Sequence, residues 1–69
     1  MNTKQILIKK EVGDIKEVSK IMGISSDYTL KILNRPTAKL HHTAINILKK
    51  IIEAREKLYE EVKNEIVNQ

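Results

Sequence analysis

Sixty-nine residues, a net charge of +4 and no cysteine allow one small domain and exclude a disulfide scaffold or a thiolate metal site. Two Gly and one Pro leave little material for hairpins or a many-stranded sheet. No run reaches the roughly 18 uncharged apolar residues of a membrane span.

With 41% hydrophobic residues and Leu, Ile, Lys and Glu dominating, the composition predicts an all-α domain over residues 1–69. A chain of this size buries only about 60% of its unfolded surface, so its core is marginal and oligomerisation is the expected supplement. The opening MNTKQILIKKEVGD lacks a signal-peptide cleavage pattern, so a soluble, cytoplasmic protein is expected.

In chain order, Thr3 to Val12 is ambiguous. Thr3 can cap a helix whose Ile8, Val12 and Ile15 fall at i, i+4, i+7, but Ile6-Leu7-Ile8 also reads as a short strand. Helix is favoured, because the chain offers no second strand to pair with it. Gly13-Asp14 reads as a helix stop followed by an N-cap. A short helix over Ile15 to Met22 follows, with Ile15, Val18, Ile21 and Met22 as its apolar set. Gly23 ends it, and Ser25 caps the next helix, Ser26 to about Leu33, which turns Thr29, Ile32 and Leu33 inward. Asn34-Arg35-Pro36 closes that helix, since Pro disfavours helical backbone at the residue before it.

A last helix, free of Gly and Pro, is expected from about Thr37 or Leu40 to about Val67. Two apolar stripes mark it. One is Ala44, Ile47, Ile51, Ala54 and Leu58; the other is Ile45, Leu48, Ile52, Tyr59, Val62 and Ile66. The wide apolar arc over residues 40–58 is expected to close the core. The narrower seam of Tyr59, Val62 and Ile66 is expected to pair with a second chain, the alternative being a frayed, half-exposed tail.

Charge divides the chain in the same place. Residues 1–50 hold ten Lys/Arg against four Asp/Glu, a balance of +6; residues 51–69 hold three against five, a balance of −2. A basic body suits phosphate neutralisation, or simply a solvated surface, and an acidic periodic tail suits a protein partner.

The stretch over residues 15–34, IKEVSKIMGISSDYTLKILN, has the spacing of a helix-turn-helix: two short helices joined by a three-residue turn. The crossing of the helices demands a small residue at Ser19, Gly23 opens the turn, Ile24 plugs the corner, and Thr29 and Ile32 face inward. Ser19 and Thr29 are more polar than such positions usually are, a cost relieved if their hydroxyls bond back to helix carbonyls.

Residues 15–51 resemble the DNA-binding headpiece of the lactose-repressor family. IKEVSKIMGIS and KILN match its first two helices, and TAINILKKI its third, without a gap. The segment is also similar to phage Cro and repressor-type domains, in which a helix precedes the motif. The resemblance implies a compact, lambda-repressor-like helix-turn-helix domain, here with a long C-terminal helix outside either minimal pattern. No hinge segment or sugar-binding domain follows, so an inducer-binding repressor is not expected.

The resemblance further implies that the second motif helix lies in the DNA major groove. Its candidate base-contacting residues are Ser26, Asp27, Tyr28, Leu30 and Lys31. Lys31 would donate to guanine, Asp27 accept from cytosine N4 and Leu30 touch a thymine methyl. Leu30 has the alternative of a protein contact, and Asp27 that of favouring the helix dipole. Lys16, Ser25, Asn34, Arg35, Lys39, His41 and His42 are the candidate phosphate-contacting residues.

Adjacent histidines on a helix point about 100° apart and do not chelate one metal, so no metal and no cofactor is expected. They are expected to be exposed. Without a cysteine nucleophile, a Gly-rich phosphate loop or a Ser/His/acid arrangement, no catalytic activity is expected. The expected function is sequence-specific double-stranded DNA binding by a homodimeric transcriptional repressor or autoregulator of phage or mobile-element type. An excision or recombination accessory factor and an antitoxin are the alternatives within DNA binding. A protein–protein interaction module using the helical tail is the alternative outside it.

Overall fold

A computed structural model describes residues 1–67; the last two residues of the expected 1–69 domain lie outside it. Four helices follow in order, α1 (Thr3–Lys9), α2 (Asp14–Met22), α3 (Ser26–Leu33) and α4 (His41–Val67). The described residues contain no strand, so Ile6-Leu7-Ile8 is helical. No helix among them is long and apolar enough to cross a membrane.

The first helix differs from expectation at both ends. Asn2, not Thr3, caps it: its side chain accepts the Gln5 N–H at 2.8 Å while its own N–H donates to Gln5 Oε1 at 3.0 Å. Two otherwise unpaired donors are thereby satisfied reciprocally. The helix stops at Lys9, so Val12 falls in the loop and the expected Ile8–Val12–Ile15 face does not form. Ile8 and Val12 are 72% and 107% exposed, and Ile6 enters the core instead.

The Gly13-Asp14 boundary is also shifted by one residue. Gly13, at φ 99°, is the N-cap, and Asp14 is the first helical residue rather than the cap. The Asp14 carboxylate instead accepts the Glu11 N–H at 2.7 Å, tightening the preceding loop.

At the other end of α2, Gly23 adopts φ 70°. A Cβ there would meet no atom within 4 Å, so the left-handed backbone, not space, demands glycine. The turn then satisfies two helix carbonyls, with Gly23 N–H donating to Lys20 O and Ile24 N–H to Ser19 O, as in a Schellman ending.

Val18 from α2, Ile32 and Leu33 from α3, and Ala44, Ile45, Leu48 and Ile52 from α4 form the core with Ile6. The fourth helix packs against each of the others, whereas α1 packs closely only on α4. Ile21, expected in the apolar set of α2, is instead 61% exposed. Burial along α4 ends at Ile52, not at Leu58: Ala54 is exposed and Leu58 is 59% exposed. The reason is reach. The first three helices cover only the N-terminal half of a 27-residue helix about 40 Å long, and the molecule is correspondingly elongated, 47 × 23 × 16 Å.

One cation marks the edge of that cover. The Arg55 guanidinium donates to Asp14 at 2.7 Å and to the Lys9 carbonyl at 3.2 Å, and pairs with Glu11 at 3.0 Å. It thus binds the end of α1, the following loop and the start of α2 to α4. The hydrogen bond to Asp14 raises the Arg55 pKa above its ordinary value, against the opposing effect of partial burial.

Candidate nucleic-acid interface

The placement of α3 begins with two buried hydroxyls. Ser19 on α2 and Thr29 on α3 approach to 2.7 Å where the helices cross. Ser19 also lies 2.6 Å from the Ile15 carbonyl, and Thr29 2.9 Å from the Ser25 carbonyl. Two hydroxyl protons serve three short contacts, so two of the three are made at any moment and neither oxygen lacks a partner. The polar crossing is thereby reconciled with burial, by the back-bonding the sequence required.

Both ends of α3 are fixed as well. The Ser25 side chain accepts the Tyr28 N–H at 3.1 Å, capping the start as expected. At the other end the Ile32 carbonyl accepts from the Arg35 N–H at 3.2 Å and from His41 Nδ1 at 2.9 Å. His41 must carry its proton on Nδ1 to make that bond, since a carbonyl only accepts. The ring is 4% exposed. The expected exposed, phosphate-facing role of His41 is therefore corrected: it ties the end of α3 to the start of α4 as the second donor to the Ile32 carbonyl.

With Thr29, Ile32 and Leu33 buried, the helical period turns Asp27, Leu30 and Lys31 to the opposite side, with Ser26 and Tyr28 flanking them. Ser26, Asp27 and Lys31 are exposed, Tyr28 is 50% exposed and Leu30 38%. All five are therefore exposed, with Asp27, Leu30 and Lys31 on the outward face and Ser26 and Tyr28 at its two edges.

Tyr28 and Lys31 also meet Arg35 and Lys39 around a cleft between α3 and the turn after it, with Ile32, Ala38 and Leu40 completing its lining. The sequence assigned these residues to separate groups; the turn around Pro36 brings them together. Three cations thus surround one cleft. None of the ion pairs among the described residues uses Lys16, Lys31, Arg35 or Lys39, which leaves those charges to solvent or a partner.

The remaining candidates lie elsewhere. Lys16 and Asn34 are exposed at the start of α2 and the end of α3. His42 is exposed, but it borders a shallow groove with Asn2, Thr3 and Asn46, on the α1 side of the molecule. No group of three or more potential His, Cys, Asp or Glu metal ligands occurs among the described residues.

Sequence reasoning did not find the Asp14–Arg55 clamp. Its partners are 41 residues apart, beyond any local spacing rule. A signal existed nonetheless. Leu48, Ile52, Arg55 and Tyr59 follow at steps of four, three and four, so Arg55 interrupts an apolar seam and needs a partner wherever that seam is covered. Compared with known proteins, the chain matches no protein-family model, no curated protein and no solved structure.

Proposed function

We propose that the α2–turn–α3 unit is a helix-turn-helix that binds double-stranded DNA sequence-specifically, in a homodimeric transcriptional repressor or autoregulator. The observation that carries this reading is the outward face of α3. It is held at three points, by the Ser25 cap, the Ser19–Thr29 contact and the His41 bond, while Asp27, Leu30 and Lys31 remain free of the core. A rigid helix with readable side chains outward is what base recognition in a major groove needs.

Lys31 and Asp27 are the polar base readers, and Leu30 the apolar contact for a thymine methyl. Arg35, Lys39 and Lys16 neutralise phosphates and fix register. The exposed distal half of α4, with Tyr59, Val62 and Ile66, joins two such units so that they meet two half-sites about one DNA turn apart. A phage or mobile-element origin rests on the resemblance of residues 15–51 alone.

The test is a fluorescence-anisotropy titration against duplex from directly upstream of the gene, beside a scrambled duplex, at low and near-physiological salt. Preference for the upstream duplex that survives added salt is expected. Lys31→Ala should cost about 1–3 kcal/mol at one operator position, whereas Arg35→Ala should weaken all sequences and flatten the salt slope by about one unit. Equal binding to both duplexes that collapses with salt would overturn base readout.

A further inference from the structure

The face of α4 left open by the core extends beyond the distal seam. Between α2 and α4 runs a groove lined by Ile21, Ile47, Lys50, Ile51 and Ala54. Ile21 stands 61% exposed on its rim. Along α4 the same strip continues through Leu58, Val62 and Ile66, which are 59%, 42% and 68% exposed. Steps of three and four keep Ile47, Ile51, Ala54, Leu58, Val62 and Ile66 close to one side of the helix, drifting slowly around it. One apolar strip therefore runs from the packed body to the protruding tail.

We propose that a second copy of this chain covers that strip in antiparallel register, its tail lying in the groove of the first. The inference rests on the dimeric part of the reading above and names where the two chains touch. A two-fold axis near residues 56 and 57 pairs Ile47 with Ile66 of the partner subunit and Ile51 with Val62 of the partner subunit. Ala54 then lies at the level of Leu58 of the partner subunit and Tyr59 of the partner subunit, with the partner's Leu58 on the strip side. Every apolar residue of the strip finds another, as an isologous contact requires.

One charged pair favours the same direction, and Lys57, near the axis, meets its own copy at the solvent-exposed edge. At about 100° per residue Lys50, Lys57 and Glu61 flank the strip on one side, Lys50 lining the groove itself, whereas Lys49 and Glu60 point away from it. Antiparallel packing brings Glu61 of the partner subunit onto the same flank as Lys50, offset by two residues or about 3 Å along the helix, within reach of a lysine side chain. Parallel packing instead brings Lys50 toward Arg55 of the partner subunit and leaves both acidic tails side by side.

The absence of cysteine makes the register directly measurable. Ile51→Cys and Val62→Cys chains are mixed and oxidised without DNA, so the outcome is independent of operator binding. A disulfide between the two different variants, in excess of either self-linked product, is expected. Predominant linkage of Val62→Cys to itself overturns the antiparallel register. No linkage, together with a monomer mass in sedimentation equilibrium, overturns the second copy as occupant and gives the strip to a different protein. In the same assay, Lys50→Glu and Glu61→Lys should each weaken association several-fold, and combining them in one chain should restore it. Failure of the combined variant to recover association overturns the pairing.

Discussion

The two halves of α4 obey different rules although one continuous helix contains both. As far as Ile52, the side chains facing inward are buried and the neighbouring helices decide which residue is tolerated. From Glu53 onward every described residue except half-buried Arg55 is exposed, while Leu58, Val62 and Ile66 continue the apolar pattern. A pattern kept where no core exists points outside the chain, because an isolated monomer gains nothing from it. Arg55 stands at the boundary, and its three polar partners lock the last covered turn.

That contrast is broken most strongly from the packed side. Leu48→Ala removes a fully buried side chain and should cost about 2–5 kcal/mol in urea unfolding, enough to threaten so small a domain. Asp14→Ala tests the boundary. It strips a partly buried arginine of its closest partner and should cost about 1–3 kcal/mol, less than a fully buried pair because Arg55 retains Glu11, the Lys9 carbonyl and some solvent. The tail should be nearly silent by the same measure. Tyr59→Ser, at a 65% exposed position, should change monomer stability by no more than about 0.5 kcal/mol at concentrations where the chain is monomeric. A larger loss would mean that the distal turns are held within the monomer itself.

The Ser25 cap, the Gly23 turn and the inward set of α3 were readable because each is a local requirement, met within a few residues. The outward set Asp27, Leu30 and Lys31 followed from the same period. The burial of His41 is not legible locally, because adjacent histidines in a basic stretch have the pattern of a surface. Only the return of the chain past Pro36 places its ring against the Ile32 carbonyl. The first segment is helical as expected, but its extent and buried face differ for a related reason: Ile8 and Val12 have helical spacing, yet the helix ends before Val12 and presents Ile6 to the core.

By itself the sequence determined the helical class, the boundaries of α3, the near extent of α4 and the uneven charge. These properties depend on backbone propensity, caps and composition, which act over a few residues. Tertiary structure alone decided that burial on α4 stops at Ile52, that Arg55 closes the α1–α2 loop, and that Tyr28, Lys31, Arg35 and Lys39 share one cleft. Those depend on how far three short helices reach along a long one, and periodicity within a segment carries no measure of that distance.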